Sequence, residues 1–289
     1  MGETRDIIEV KTVELPSGKV AKDENFPVGS MLLPRVLRPH VATFYEFARA
    51  IDDIADNSIL LPEEKIERLE GFDKALMGLD NTPAFEKAHI MRSSIIFTGV
   101  PIQHCRDLIS AFKQDAVKLR YNDWDELMDY CDRSAAPVGR YLLDLHGVSK
   151  DLYPASDALC NALQVINHLQ DCQSDYREMN RVYLPQNWMT QAGVDVTDLD
   201  QPFTGTGLRR VLNHCLGETS ELLKFARQLP GPMSSRRLAM ESAVIIRIAE
   251  QLVFELSRRD PLAERVALTK MQYFTCFFAG ITRLFFKTR

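Results

Sequence analysis

The segment Gln164–Pro185, Q-V-I-N-H-L-Q-D-C-Q-S-D-Y-R-E-M-N-R-V-Y-L-P, limits what this chain can become more than any other. On a helix, residues three and four apart share a face, so Gln164, Asn167, Asp171 and Asp175 line up along one side. The opposite side carries Ala162, Leu163, Val165, Ile166, Leu169 and Tyr176. The result is an apolar back with a narrow stripe of oxygen donors in front. Two carboxylates one turn apart repel each other unless a cation sits between them.

A lone D-x-x-x-D is more often a solvated face than a site, so a second copy matters. A helix expected from about Pro39 to Asn57 repeats the design. Tyr45, Arg49, Asp52 and Asp56 share one face, with Asp53 slightly to the side, while Phe47, Ala48, Ile51, Ile54 and Ala55 point to a core. Gln164 and Asn167 stand where a solvated face would more often carry Lys or Glu. The two stripes together are expected to bind metal.

Helical periodicity continues over residues 62–77, 83–98, 101–118, 123–148, 155–179, 207–228, 234–257 and 263–285. Gly78 to Pro83, Gly99-Val-Pro101, Pro154 and Pro230-Gly-Pro232 separate these segments, and no alternating strand of useful length occurs. Residues 1–24 and about 191–207 read as irregular. The expectation is an all-α bundle forming a single domain over residues 1–289. Pro137 and Gly139 in R-S-A-A-P-V-G-R should kink one helix, either for packing alone or to widen a cavity with Arg140 aimed into it. The terminal segment, rich in phenylalanine, reads as a core helix. Its alternative is a surface resting on lipid, with Arg283, Lys287 and Arg289 at the headgroups.

A net charge of −5 argues against nucleic acid as the main partner, because phosphate backbones select basic surfaces. The six cysteines form no C-x-x-C pair and are expected as reduced thiols. With no apolar signal core and no run of 18 apolar residues, the expected location is the cytoplasm, either free or at most attached to the inner face of the membrane. A di-iron bundle needs Glu-x-x-His twice, and only Glu86–His89 supplies one. There is no H-x-x-x-H for zinc, and nucleotide and serine-hydrolase signatures are absent.

Magnesium keeps waters and takes one or two carboxylates plus phosphate oxygens. Two aspartate pairs on facing helices could clamp a diphosphate through bridging metal ions, with arginines taking the remaining oxygens. Departure of that diphosphate would leave a carbocation, provided the space beyond is apolar and dry.

R-A-I-D-D-I-A-D, from Arg49 to Asp56, and Gln164–Pro185 with its trailing R-V-Y-L-P resemble the two aspartate motifs of the squalene/phytoene synthase family. The resemblance spans almost the whole chain. It implies an isoprenoid-synthase bundle around a central apolar cavity, magnesium as cofactor and loss of diphosphate. E-N-F-P-V-G-S, L-L-P-R-V-L-R-P-H and S-A-A-P-V-G-R most resemble the branch that converts presqualene diphosphate to hydroxysqualene in bacterial hopanoid biosynthesis. Head-to-head condensation of prenyl diphosphates stays open, as does a helical lipid-binding scaffold without activity. Functional coupling to other enzymes of the squalene pathway is a further expectation. By this resemblance Asp52, Asp53, Asp56, Asn167, Asp171 and Asp175 bind magnesium. Arg49, Arg177 and Arg181 hold diphosphate, unless Arg177 instead pairs with an aspartate. Tyr45, Tyr183 and Gln164 orient the diphosphate or line the cavity mouth, and Asn25 and Phe26 touch it from the N-terminal loop. His168, about 100° off the stripe, is expected as a packed or capping residue.

Overall fold

A computed structural model of the chain describes Val13 and residues 33–286, the last four of these by backbone alone. α1 (Arg38–Ala55) carries Pro39 in its first turn, where a missing N–H leaves nothing unpaired. It buries Val41, Phe44, Phe47, Ile51 and Ile54 at three- and four-residue intervals. α2 (Pro62–Met77) also begins at proline, and its first turn is closed by the Leu61 N–H donating to the Glu64 carboxylate at 2.8 Å. It ends at Gly78, whose φ of 77° favours glycine. α3 (Glu86–Thr98) and α4 (Gln103–Asp115) follow, and α1 packs against α2, α3 and α4.

Residues 123–148 form two helices rather than one kinked helix. α5 (Trp124–Ser134) stops at Ala135 (φ −123°, ψ −48°), and α6 (Ala136–Leu145) restarts with Pro137 in its first turn. A continuous helix would drive the Pro137 ring against the Arg133 carbonyl, so the chain breaks instead. Gly139 then lets α6 press on α7 (Tyr153–Gln170): a Cβ there would lie 2.3 Å from Ser156 Oγ and 2.7 Å from Cys160 Sγ. Arg140 does not point into a cavity. Its guanidinium forks onto Asp157 at 2.9 and 2.8 Å.

α7 buries residues along most of its length and packs against α5, α6, α10 and α11. The expected helix 155–179 breaks at Asp171 (φ −105°, ψ 9°), where α8 (Cys172–Met179) begins. The Asp171 carbonyl there accepts from both the Asp175 N–H at 2.8 Å and the Ser174 hydroxyl at 2.9 Å. β1 (Arg120–Tyr121) and β2 (Val182–Pro185) form a short parallel pair that no alternation in the sequence announces. The Val182 N–H donates to the Leu119 carbonyl at 2.9 Å.

α9 (Gln186–Ala192), α10 (Thr206–Ala226), α11 (Arg236–Arg258) and α12 (Lys270–Phe286) complete the described chain. The last segment starts later than expected because Pro261 stops α11 and residues 259–269 form a loop. Asp260 holds that loop by accepting the Thr204 and Leu262 N–H groups. α12 is a core helix on one side only. Cys276 is buried, whereas Met271, Phe274 and Phe278 are exposed; the side chains of Arg283, Lys287 and Arg289 lie outside the described residues. Among the described residues no helix is long and apolar enough to cross a membrane. The buried apolar side chains of α1 to α12 form one continuous cluster.

Candidate active site

A cavity of about 740 Å³ runs between α1, α5, α6, α7 and α11. Its polar end gathers both sequence stripes: Tyr45, Arg49, Asp52 and Asp56 from α1 face Gln164, Asn167, Asp171 and Asp175 from α7 and α8. The residue that breaks the second helix does not break its stripe, because Asp175 still bonds to the Asp171 carbonyl. Much of the rest of the wall is apolar, with Leu33, Val41, Phe44, Val138, Leu142 and Leu159 among its residues, although Ser156, Glu241 and Ser242 also line it.

Charges in the polar end are arranged around two arginines. Arg49 donates to Asp52 at 2.5 Å and to Asp53 at 2.8 Å. Asp53 is itself buried and does not line the cavity. Arg181 is 4% exposed and donates to Asp56 at 2.5 Å and to the Ala55 carbonyl at 2.7 Å. Lys65 shares that carbonyl at 2.8 Å, so two cations sit on the carbonyl-rich end of α1.

Arg177 and Arg181 part company at Asn180. Its left-handed conformation (φ 54°) ends α8, and the Arg181 N–H closes the turn on the Asp175 carbonyl at 3.1 Å. The chain then dives inward as β2, so Arg181 is buried. Arg177 stays outside on Asp200 at 3.0 Å, nearly half exposed. It makes the aspartate pair that stood as its alternative and lies apart from the cavity. Asn25 and Phe26 lie outside the described residues.

Under the polar end lies a buried network that no sequence pattern marked. Asp115, at the end of α4, accepts from Tyr130 at 2.6 Å and from Tyr183 at 3.2 Å. Burial pushes its carboxyl up to about 6, against the pull of the Arg181 charge. Burial and the same carboxylate raise both tyrosines well above their usual range. Tyr183 therefore lines the wall with its hydroxyl committed to Asp115, rather than free at the mouth. His168 stacks on Tyr183 with ring centroids 3.6 Å apart, and burial followed by the Arg181 charge pushes it down to about 3. It is packed, as expected, and it also lines the cavity. At the mouth the structure adds Arg265, on the loop before α12. Gln170 ties that loop to α7 by donating to the Val266 carbonyl at 2.5 Å.

The donor set suits a hard divalent ion: carboxylates and amide oxygens facing each other from two helices. Among the described residues, no three His, Cys, Asp or Glu side chains converge into a ready-made cage.

Residues 20–272 match the family model described as squalene/phytoene synthase. Hydroxysqualene synthase of Rhodopseudomonas palustris is 42% identical over 269 residues, covering 93% of this chain and 91% of its own. Hydroxysqualene synthase of Zymomonas mobilis is 42% identical over 280 residues, covering 96% and 94%. Among solved structures, squalene synthase HpnC from Alicyclobacillus acidocaldarius is similar at a TM-score of 0.70 and 31% identity, covering 80% of this chain and 87% of that one. A dehydrosqualene synthase in complex with ligand reaches a TM-score of 0.70 at 20% identity, covering 90% and 91%, a likeness of fold.

Proposed function

Because this chain belongs to the squalene/phytoene synthase family, we propose that it ionises presqualene diphosphate with magnesium, rearranges the resulting cation and captures it with water as hydroxysqualene. One observation carries the reading: two aspartate stripes face each other across the polar end of a cavity whose remaining wall is largely apolar. The relatives named hydroxysqualene synthase, matched over more than nine-tenths of the chain, support this branch over its siblings.

Asp52, Asp56, Asp171 and Asp175 would hold magnesium, which when bound supplies the positive charge that stabilises a departing diphosphate. Arg49 and Arg265, which line the cavity, take diphosphate oxygens. Tyr45, Gln164 and Asn167 orient the diphosphate. Arg181 also lines the cavity and holds diphosphate; bonded to Asp56 and the Ala55 carbonyl, it fixes the end of α1 and the carboxylate presented there as well. Phe44, Val138, Leu142 and Leu159 keep bulk water from the cation and hold the hydrocarbon.

Incubation with presqualene diphosphate and magnesium, followed by product analysis, tests the reading. It predicts hydroxysqualene and released diphosphate, and absence of turnover defeats it. The second reading is head-to-head condensation, supported by the phytoene synthase relatives at 33% identity over 62% of this chain. It predicts diphosphate release from a simple prenyl diphosphate alone.

A further inference from the structure

We propose that Ser134 and His168 together seat the water molecule that captures the carbocation, an inference that rests on the water-capture reading above. Ser134 ends α5 and His168 lies in the last turn of α7, and these helices pack together. Both residues line the cavity, at only 8% and 7% exposure. Yet Ser134 Oγ and His168 Nε2 have no hydrogen-bond partner among the described residues. Buried polar groups are nearly always paired, and where protein supplies no partner an ordered water does.

Their surroundings are partly aromatic. Tyr130 sits one turn before Ser134 on the same face of α5, and its ring centroid is 6.1 Å from that of His168. The hydroxyl protons of Tyr130 and Tyr183 are both spent on Asp115. Stacking on Tyr183 fixes the plane of the imidazole. Ala135, Val138 and Leu163 line the same cavity beside them in the chain or along the helix. A single water held between a hydroxyl and a ring nitrogen presents an oxygen lone pair to the cavity while bulk water stays out.

The step balances. The diphosphate leaves with the electron pair of its C–O bond. The held water then donates a lone pair to the cation, forming the new C–O bond. The resulting oxonium gives one proton to the diphosphate that has left, which leaves a neutral alcohol.

The test is the partition of products from presqualene diphosphate with magnesium in ¹⁸O-labelled water. His168→Phe keeps a flat ring against Tyr183 but removes both nitrogens, and Ser134→Ala removes the hydroxyl. The wild-type protein should give labelled alcohol. In His168→Phe the alcohol share of all hydrocarbon-chain products should fall by about tenfold or more, with hydrocarbons from proton loss taking its place. In Ser134→Ala the share should fall about threefold. His168→Gln, which restores a side-chain acceptor, should recover part of it. An unchanged alcohol share in His168→Phe, or in Ser134→Ala should the former not fold, overturns the proposal, because a purely packing role would slow the enzyme without redirecting the cation. Wild-type protein that forms no alcohol would instead defeat the water-capture reading itself.

Discussion

Replacing Asp115 with asparagine should raise stability at neutral pH relative to its effect in acid. Asp115 is 4% exposed and its carboxyl is pushed from 3.8 to about 6 by burial. A carboxyl with a higher pKa folded than unfolded binds its proton more tightly in the fold, so stability falls as pH rises between those two values. Integrating that linkage between about pH 4.5 and about pH 7.5 gives a loss of about 2 kcal/mol that asparagine, which does not titrate, cannot show. At about 2 °C per kcal/mol for a chain of this size, the melting temperature of Asp115→Asn should gain about 4 °C on wild type across that interval. Comparing both proteins by thermal unfolding at each pH cancels the other titrating groups. A gap that stays constant within about 1 °C, or narrows as pH rises, would refute the placement of an ionised Asp115 in a desolvated network.

Other outcomes follow from the same structure. Arg181→Met leaves the Asp56 carboxylate without its 2.5 Å partner and should cost about 3–5 kcal/mol in chemical unfolding, with Arg181→Lys losing less. Gly139→Ala places a Cβ 2.3 Å from Ser156 Oγ and should cost about 1–3 kcal/mol, read from the midpoint of urea unfolding. Asp171→Asn should lower the rate of diphosphate release at least ~100-fold, while its far-ultraviolet circular dichroism stays that of the wild type.

The parts of the site that could be read from sequence are those set by local geometry. Tyr45, Arg49, Asp52 and Asp56 fall on one face because a helix repeats every 3.6 residues. Gln164 to Asp175 kept that repeat through the break at Asp171 because one backbone bond spans it. Asp115, Tyr130 and Arg265 reach the cavity from α4, α5 and the loop before α12, which only long-range packing brings together. The spacing of Arg177 and Arg181 gave them equal standing. The left-handed turn at Asn180 decides between them, and an asparagine in a polar segment permits such a turn without demanding it. Pro137 announced a disruption but not its form, since proline suits a restarted first turn as well as a kink.

The claim on which the rest depends is that two aspartate stripes on facing helices grip one diphosphate through magnesium. Calorimetric titration of inorganic diphosphate, with and without magnesium, tests it on wild type, Asp52→Asn and Asp171→Asn. Binding should require magnesium and should weaken by about tenfold or more in each variant alone, since either half of the clamp is insufficient. Binding of equal strength without magnesium, or wild-type affinity in either variant, would contradict it.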